Sequence, residues 1–188
     1  MPAAKTPDPT TTTRDARRLS TLLEISQALS GTLNLKSSMQ RVLQILIRHH
    51  GVVRGMVTLL REGELHVEAI EGFDDRARAV SFKVGEGITG QVAQSGKPIV
   101  VPRVSKEPEF LNRMPRRADA ARHELSFICV PIAVQRTTAG TLAVDLKFKP
   151  ERDYDSEMKC LGLIAAMMSQ AIKAEHLVDD EVFGRAGH

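Results

Sequence analysis

Helical periodicity at both ends of the chain encloses a middle of short apolar runs broken by glycines, and this order constrains the fold most. Between Leu35 and His50, residues Met39, Val42, Leu43, Leu46 and Ile47 recur at i, i+3, i+4, i+7 and i+8, the stripe of a buried helix face. Gly51 follows as a capping residue. A preceding helix is expected over residues 16–30, with Leu19, Leu22, Leu23, Ala28 and Leu29 mostly on one stripe and Gly31 ending it. A long helix is expected over 156–178, with Leu161, Ile164, Met168 and Ile172 spaced for packing. In the middle, Val52–Arg61 and residues 65–70 flank Glu62, Gly63 and Glu64, a hairpin signal. Residues 80–84 read as a strand, 85–90 open a short helix ending at Ser95 and Gly96, and Ile99–Val101 form a brief strand stopped by Pro102. Residues 126–134 and 141–147 form a last hairpin, with its turn expected at 137–140. Hairpin connections make the sheet mainly antiparallel. The expected fold is therefore α+β: a central, mainly antiparallel sheet, terminal helices on one face, and a helical or loop insertion over the other.

Length and composition narrow the function classes. At 188 residues the chain holds one domain plus tails, expected as a disordered lead-in over 1–15, a domain over 16–178, and a linker or disordered tail over 179–188. Two cysteines rule out a disulfide scaffold, and neither lies in a Cys/His cluster able to bind structural zinc. No apolar run approaches the roughly 20 residues that span a bilayer. No apolar signal core stands near the N-terminus, so a reducing cytoplasm is the expected compartment. The 26 basic residues nearly balance 23 acidic ones, and six Phe with one Tyr leave few rings for stacking on bases. Direct nucleic-acid binding is not expected.

The sequence motifs lead away from catalysis. Gly85, Gly87 and Gly90 fit G-x-G-x-x-G, but a dinucleotide site needs a long crossover helix, and Gly96 and Pro98 close this one after barely two turns. The pattern reads as a glycine turn opening a short helix. No metalloprotease, nucleophile-elbow or phosphate-loop signature occurs, so enzymatic activity is not expected. Cys129 stands in an apolar run and Cys160 on the last helix; inert buried thiols fit both better than a redox or iron site. Residues 105–124 form a polar insertion carrying Asn112, Arg113, Arg116, Arg117, Arg122 and His123. Arginine grips carboxylates and phosphates through paired hydrogen bonds. The insertion is thus a solvated loop, a lid over a small pocket, or a protein-docking surface. The terminal helices, through Leu19, Leu22, Leu161, Ile164, Met168 and Ile172, either cover only their own sheet or also pair across a two-fold axis. A homodimer is the favoured reading.

The residues also carry a family resemblance. The two N-terminal helices, the stretch from Gly85 to Val92, Lys97 to Val101, Phe127 to Ile132 and Gly140 to Leu142 resemble a GAF domain. The segments Leu22 to Leu29, Glu107 to Arg113 and Ser126 to Ile132 resemble, more narrowly, the N-terminal GAF domain of the nif-specific regulatory protein (NifA) family. That resemblance implies a sensory module ahead of an AAA+ ATPase and a helix-turn-helix domain that activate sigma-54 promoters of nitrogen-fixation genes. It implies 2-oxoglutarate as the candidate effector and a PII-type or NifL-type protein as a candidate partner. The Asn-Lys-Phe-Asp-Glu motif of cyclic-nucleotide GAF domains is absent, which disfavours cyclic AMP and cyclic GMP. The expected pocket has Phe127, Cys129 and Asp145 on its floor, with Asn112, Arg113, Arg116, Arg117 and His123 on the lid.

Overall fold

A computed structural model of the protein describes residues 9–30, 34–108 and 124–184. Helices α1 (Pro9–Ser30) and α2 (Leu35–His50) precede strands β1 (Val52–Arg61), β2 (Glu64–Glu71) and β3 (Ser81–Lys83). Helix α3 (Gly87–Ser95), strands β4 (Ile99–Val101), β5 (Leu125–Val134) and β6 (Thr137–Lys147), and helix α4 (Tyr154–Gly184) complete the order. The six strands form one sheet in the order β3-β2-β1-β6-β5-β4, and each neighbouring pair is antiparallel. The expected α+β architecture is observed.

Strand alternation splits the core into two layers. Val57 and Leu59 of β1, Ile128, Val130 and Ile132 of β5, and Leu142, Val144 and Leu146 of β6 face α1, α2 and α4. Met56, Phe127, Cys129 and Ala143 point the other way, toward Ile88, Val92 and Ala93 of α3. Topology explains the second layer. β3 and β4 lie at opposite edges of the sheet, so the chain linking them must traverse a face, and α3 is that crossing.

Local chemistry sets the helix ends. Asn34 caps α2 by accepting the Ser37 N–H at 3.0 Å, and Gly51 closes it in the left-handed conformation at φ 65°. Gly90 sits where an added Cβ would lie 2.3 Å from the Lys83 carbonyl oxygen. Only a residue without a side chain lets α3 approach β3 so closely. The G-x-G-x-x-G glycines thus serve a turn and a tight contact at the start of a nine-residue helix.

Four expectations need correction. Helix α1 already runs at Pro9, so residues 9–15 are helical rather than a disordered lead-in. The signal was missing because this part of the helix exposes Thr13, Asp15, Ala16 and Arg17 to solvent and carries no apolar stripe. Helix α4 continues through residues 179–184, since no proline or glycine intervenes between Gly162 and Gly184. The β5–β6 turn is formed by Gln135 and Arg136, at φ 48° and 72°, not by residues 137–140. Such two-residue turns favour glycine or asparagine, so the sequence carried no cue. Finally, Leu161, Ile164, Met168 and Ile172 are buried in the chain's own core and cannot meet a partner; their spacing reported packing on the sheet.

Candidate ligand site on the helix α3 face of the sheet

Register brings one row of residues together across four strands. Val101 pairs with Phe127, Phe127 with Asp145, and Asp145 with Arg54. Both charged residues are buried. Arg54 donates from Nε to Asp145 Oδ2 at 3.0 Å, and its Nη2 lies 3.0 Å from the same oxygen. The Arg54 guanidinium also covers the Phe73 ring, 5.2 Å from its centroid, a favourable cation–π placement. An ion pair taken this far from water gains little net stability over an apolar pair, because desolvation offsets attraction.

The next rows are less polar. Met56, Ala143 and Cys129 align, followed by Thr58 and Thr141, whose hydroxyl oxygens lie 2.7 Å apart. Burial pushes the Cys129 thiol up to about 12, against weaker opposing hydrogen bonds to Thr141 and Thr89. The thiol is therefore protonated and unreactive at neutral pH, as expected of an inert buried cysteine. Cys160 is raised by burial as well.

The polar insertion springs from the end of the Arg54 row. Its base is clasped by Glu124, which accepts the Ser105 N–H at 3.2 Å and the Ser105 hydroxyl at 2.6 Å. The same hydrogen bonds from Ser105 hold the Glu124 carboxyl below its ordinary range. Ser126 reinforces the clasp by donating to the Pro102 carbonyl oxygen at 2.8 Å. The insertion therefore leaves β4 and returns to β5 at one point, beside Val101 and Phe127. Asn112, Arg113, Arg116, Arg117 and His123 lie outside the described residues.

Phe127 and Asp145 stand directly opposite each other, and Cys129 lies two residues along the same face. Arg54 was missed by sequence reasoning. Its signal was a cation near the start of one mostly apolar strand, with Asp145 as the single anion of another. Of the residues expected at a dimer surface, Leu19 is exposed and Leu22 is half-buried. Leu23 and Leu163 are exposed too.

A curled antiparallel sheet with helices on one face and a crossing helix over the other is the GAF arrangement. The GAF domain family pattern matches residues 34–172, and the chain belongs to that family. It is 32% identical over 166 residues to the Nif-specific regulatory protein of Azospirillum lipoferum, covering 86% of this chain and 27% of that protein. It is 35% identical over 156 residues to the nitrogen fixation protein VnfA of Azotobacter vinelandii, covering 81% of this chain and 30% of that protein. The chain thus spans under a third of the length of these relatives. The crystal structure of the A. aeolicus nlh2 GAF domain in an inactive state superposes with a TM-score of 0.78 at 23% identity, covering 86% of this chain and 98% of that one. Among the described residues no helix is long and apolar enough to cross a membrane.

Proposed function

We propose that the protein is a regulatory sensor module, without enzymatic activity, whose α3 face binds a small carboxylate effector under the arginine-bearing insertion. The observation that carries this reading is the buried Arg54–Asp145 pair at the root of that insertion. A carboxylate entering beside Arg54 and Phe127 meets a cation already stripped of bulk water, where charge-assisted hydrogen bonds are strong. Arg113, Arg116 and Arg117, with Asn112 and His123, would close over it from the insertion, and Cys129 would line the apolar side. The similarity to nitrogen-fixation regulators supports 2-oxoglutarate as the effector and supports control of sigma-54-dependent transcription through following AAA+ and helix-turn-helix domains. Binding would be read out through α4, which packs on β5 and β6, and through α1, which packs on α2 and α4. A coupling of about 1–3 kcal/mol between the two sites is enough to change output affinity roughly 5–150-fold.

A thermal-shift titration with 2-oxoglutarate, beside succinate, cyclic AMP and an Arg113→Ala variant, tests the reading. A ligand at a hundred times its dissociation constant stabilises by about 2.7 kcal/mol. For a domain of this size that is roughly 5–10 °C. A saturable rise lost in the variant supports the reading; no rise with any compound removes it.

A second reading has its own observation. Leu19 and Leu23, one turn apart on α1, and Leu163 on α4 are 68%, 61% and 57% exposed. These side chains suit a homodimer or a docked PII-type or NifL-type regulator. Sedimentation equilibrium of the protein and of Leu23→Lys distinguishes the two: a dimer lost in the variant supports self-association, and a monomer in both removes it.

A further inference from the structure

At the Val52 end of β1, α1, the C-terminal turn of α2 and the turn between β6 and α4 enclose a cleft of about 1240 Å³. Arg17 and Arg18 line it from α1, His50 from α2, and Lys147, Lys149 and Arg152 from the end of β6 and the turn. Its carboxylates are largely engaged. Glu157 lies 3.3 Å from Arg152 and 3.9 Å from Arg18. Asp153 accepts the Ser156 N–H at 3.0 Å and so caps α4. Glu151, on the rim, is exposed.

Donors outnumber acceptors in this cleft. The Arg152 side chain is only 10% exposed; it donates to Glu157 and, at 3.1 Å, to the Lys147 carbonyl oxygen. Its Nε has no acceptor among the described residues, and neither has the buried Nε2 of His50. Arg17, Lys147 and Lys149 are exposed at the mouth. Burial, the largest cause, together with Arg18 and His49, lowers the His50 pKa against the pull of Glu157.

We propose that this cleft binds a polyphosphate anion, held by Arg17, Arg18, Lys147 and Lys149 with Arg152 behind them. A dicarboxylate carries two charges and would leave most of these cations unanswered. A phosphate chain distributes several charges along its length and matches arginine forks. Among the described residues no Phe, Tyr or Trp lines the cleft, so recognition rests on phosphate rather than on a stacked base. The ligand would bridge α1 to the start of α4, where Arg18 already donates to Ser156. It would thereby stiffen the junction between the first helix and the last.

The chemistry has two sources, inorganic polyphosphate and the phosphate chain of a nucleotide. Isothermal titration with tripolyphosphate, ATP and GTP, against sulfate and 2-oxoglutarate at matched ionic strength, separates them. Saturable 1:1 tripolyphosphate binding is expected, about tenfold weaker in an Arg17→Gln, Lys149→Gln double variant, and unchanged in Arg113→Ala. Both substituted residues are exposed, and an unchanged melting temperature of the free variant verifies its fold. Nucleotide binding tighter than tripolyphosphate assigns the source to a nucleotide; equal binding assigns it to the phosphate chain alone. The proposal is overturned if tripolyphosphate gives no saturable heat, if sulfate matches it, or if the double variant binds equally well. Because Arg113 belongs to the proposed effector site and is not among the residues assigned to this cleft, failure here leaves the effector reading standing, and the reverse.

Discussion

Replacing Arg54 by Met and Asp145 by Leu, singly and together, isolates the buried pair. The two side chains are 5% and 1% exposed, and Nε and Nη2 of the arginine share one carboxylate oxygen at 3.0 Å. With charge centres about 4 Å apart and an effective dielectric near 20, their attraction is about 4 kcal/mol. Removing one partner forfeits that attraction and strands the other charge in the core, a loss of about 3–5 kcal/mol. Removing both leaves no stranded charge, so the double variant should fall within about 1–2 kcal/mol of the parent. Urea denaturation read by far-ultraviolet circular dichroism measures all four proteins, and the cycle gives the coupling. Additive losses, with the double variant as weak as the two singles summed, would refute the claim that the pair acts as an isolated buried unit. A stable double variant that no longer responds to 2-oxoglutarate would then separate the pair's role in binding from its role in folding.

Three further outcomes follow from the geometry. Gly140→Ala should destabilise the fold by at least about 2–3 kcal/mol, since the new Cβ would stand 2.0 Å from the Thr58 carbonyl oxygen between β1 and β6; chemical denaturation checks this. Cys129 should resist iodoacetamide at pH 8 in the native protein and react once urea unfolds it, because burial holds its thiol near 12; mass spectrometry of the modified peptide reads the difference. His50 is held neutral, chiefly by burial, so the unfolded chain binds its proton more readily than the folded one does. Stability should therefore fall as pH drops below about 6.5, by at most about 1.4 kcal/mol per pH unit from this group, and His50→Gln should flatten that slope.

Much of the fold was legible along the chain because it depends on local periodicity and punctuation. The helix from Leu35 to His50 was bounded by Asn34 and Gly51, whose capping chemistry acts within a single turn. The hairpin at Glu62 and Gly63 and the short helix before Gly96 were equally local. Where side chains met solvent the signal lapsed, as at the start of α1 and at the Gln135–Arg136 turn, whose positive φ values are sustained by ten paired positions of the flanking strands.

The candidate site divided along the same line. Strand alternation put Phe127 and Cys129 on one face of β5 by sequence parity alone, but Asp145 joins that face only through the register set by the Gln135–Arg136 turn. Arg54 lies 91 residues from Asp145, and only the pairing of β1 with β6 brings them together. Likewise, helical spacing marked Leu161, Ile164, Met168 and Ile172 as one apolar stripe, but a stripe does not say what it faces. The sheet buried those four and left Leu19, Leu23 and Leu163 outside. The sequence by itself determined the elements, their order and the antiparallel layering, because backbone propensity and side-chain period are local properties. The tertiary structure alone decided which charges share the dry interior and which apolar faces remain open, because burial is set by register and packing between segments distant in the chain.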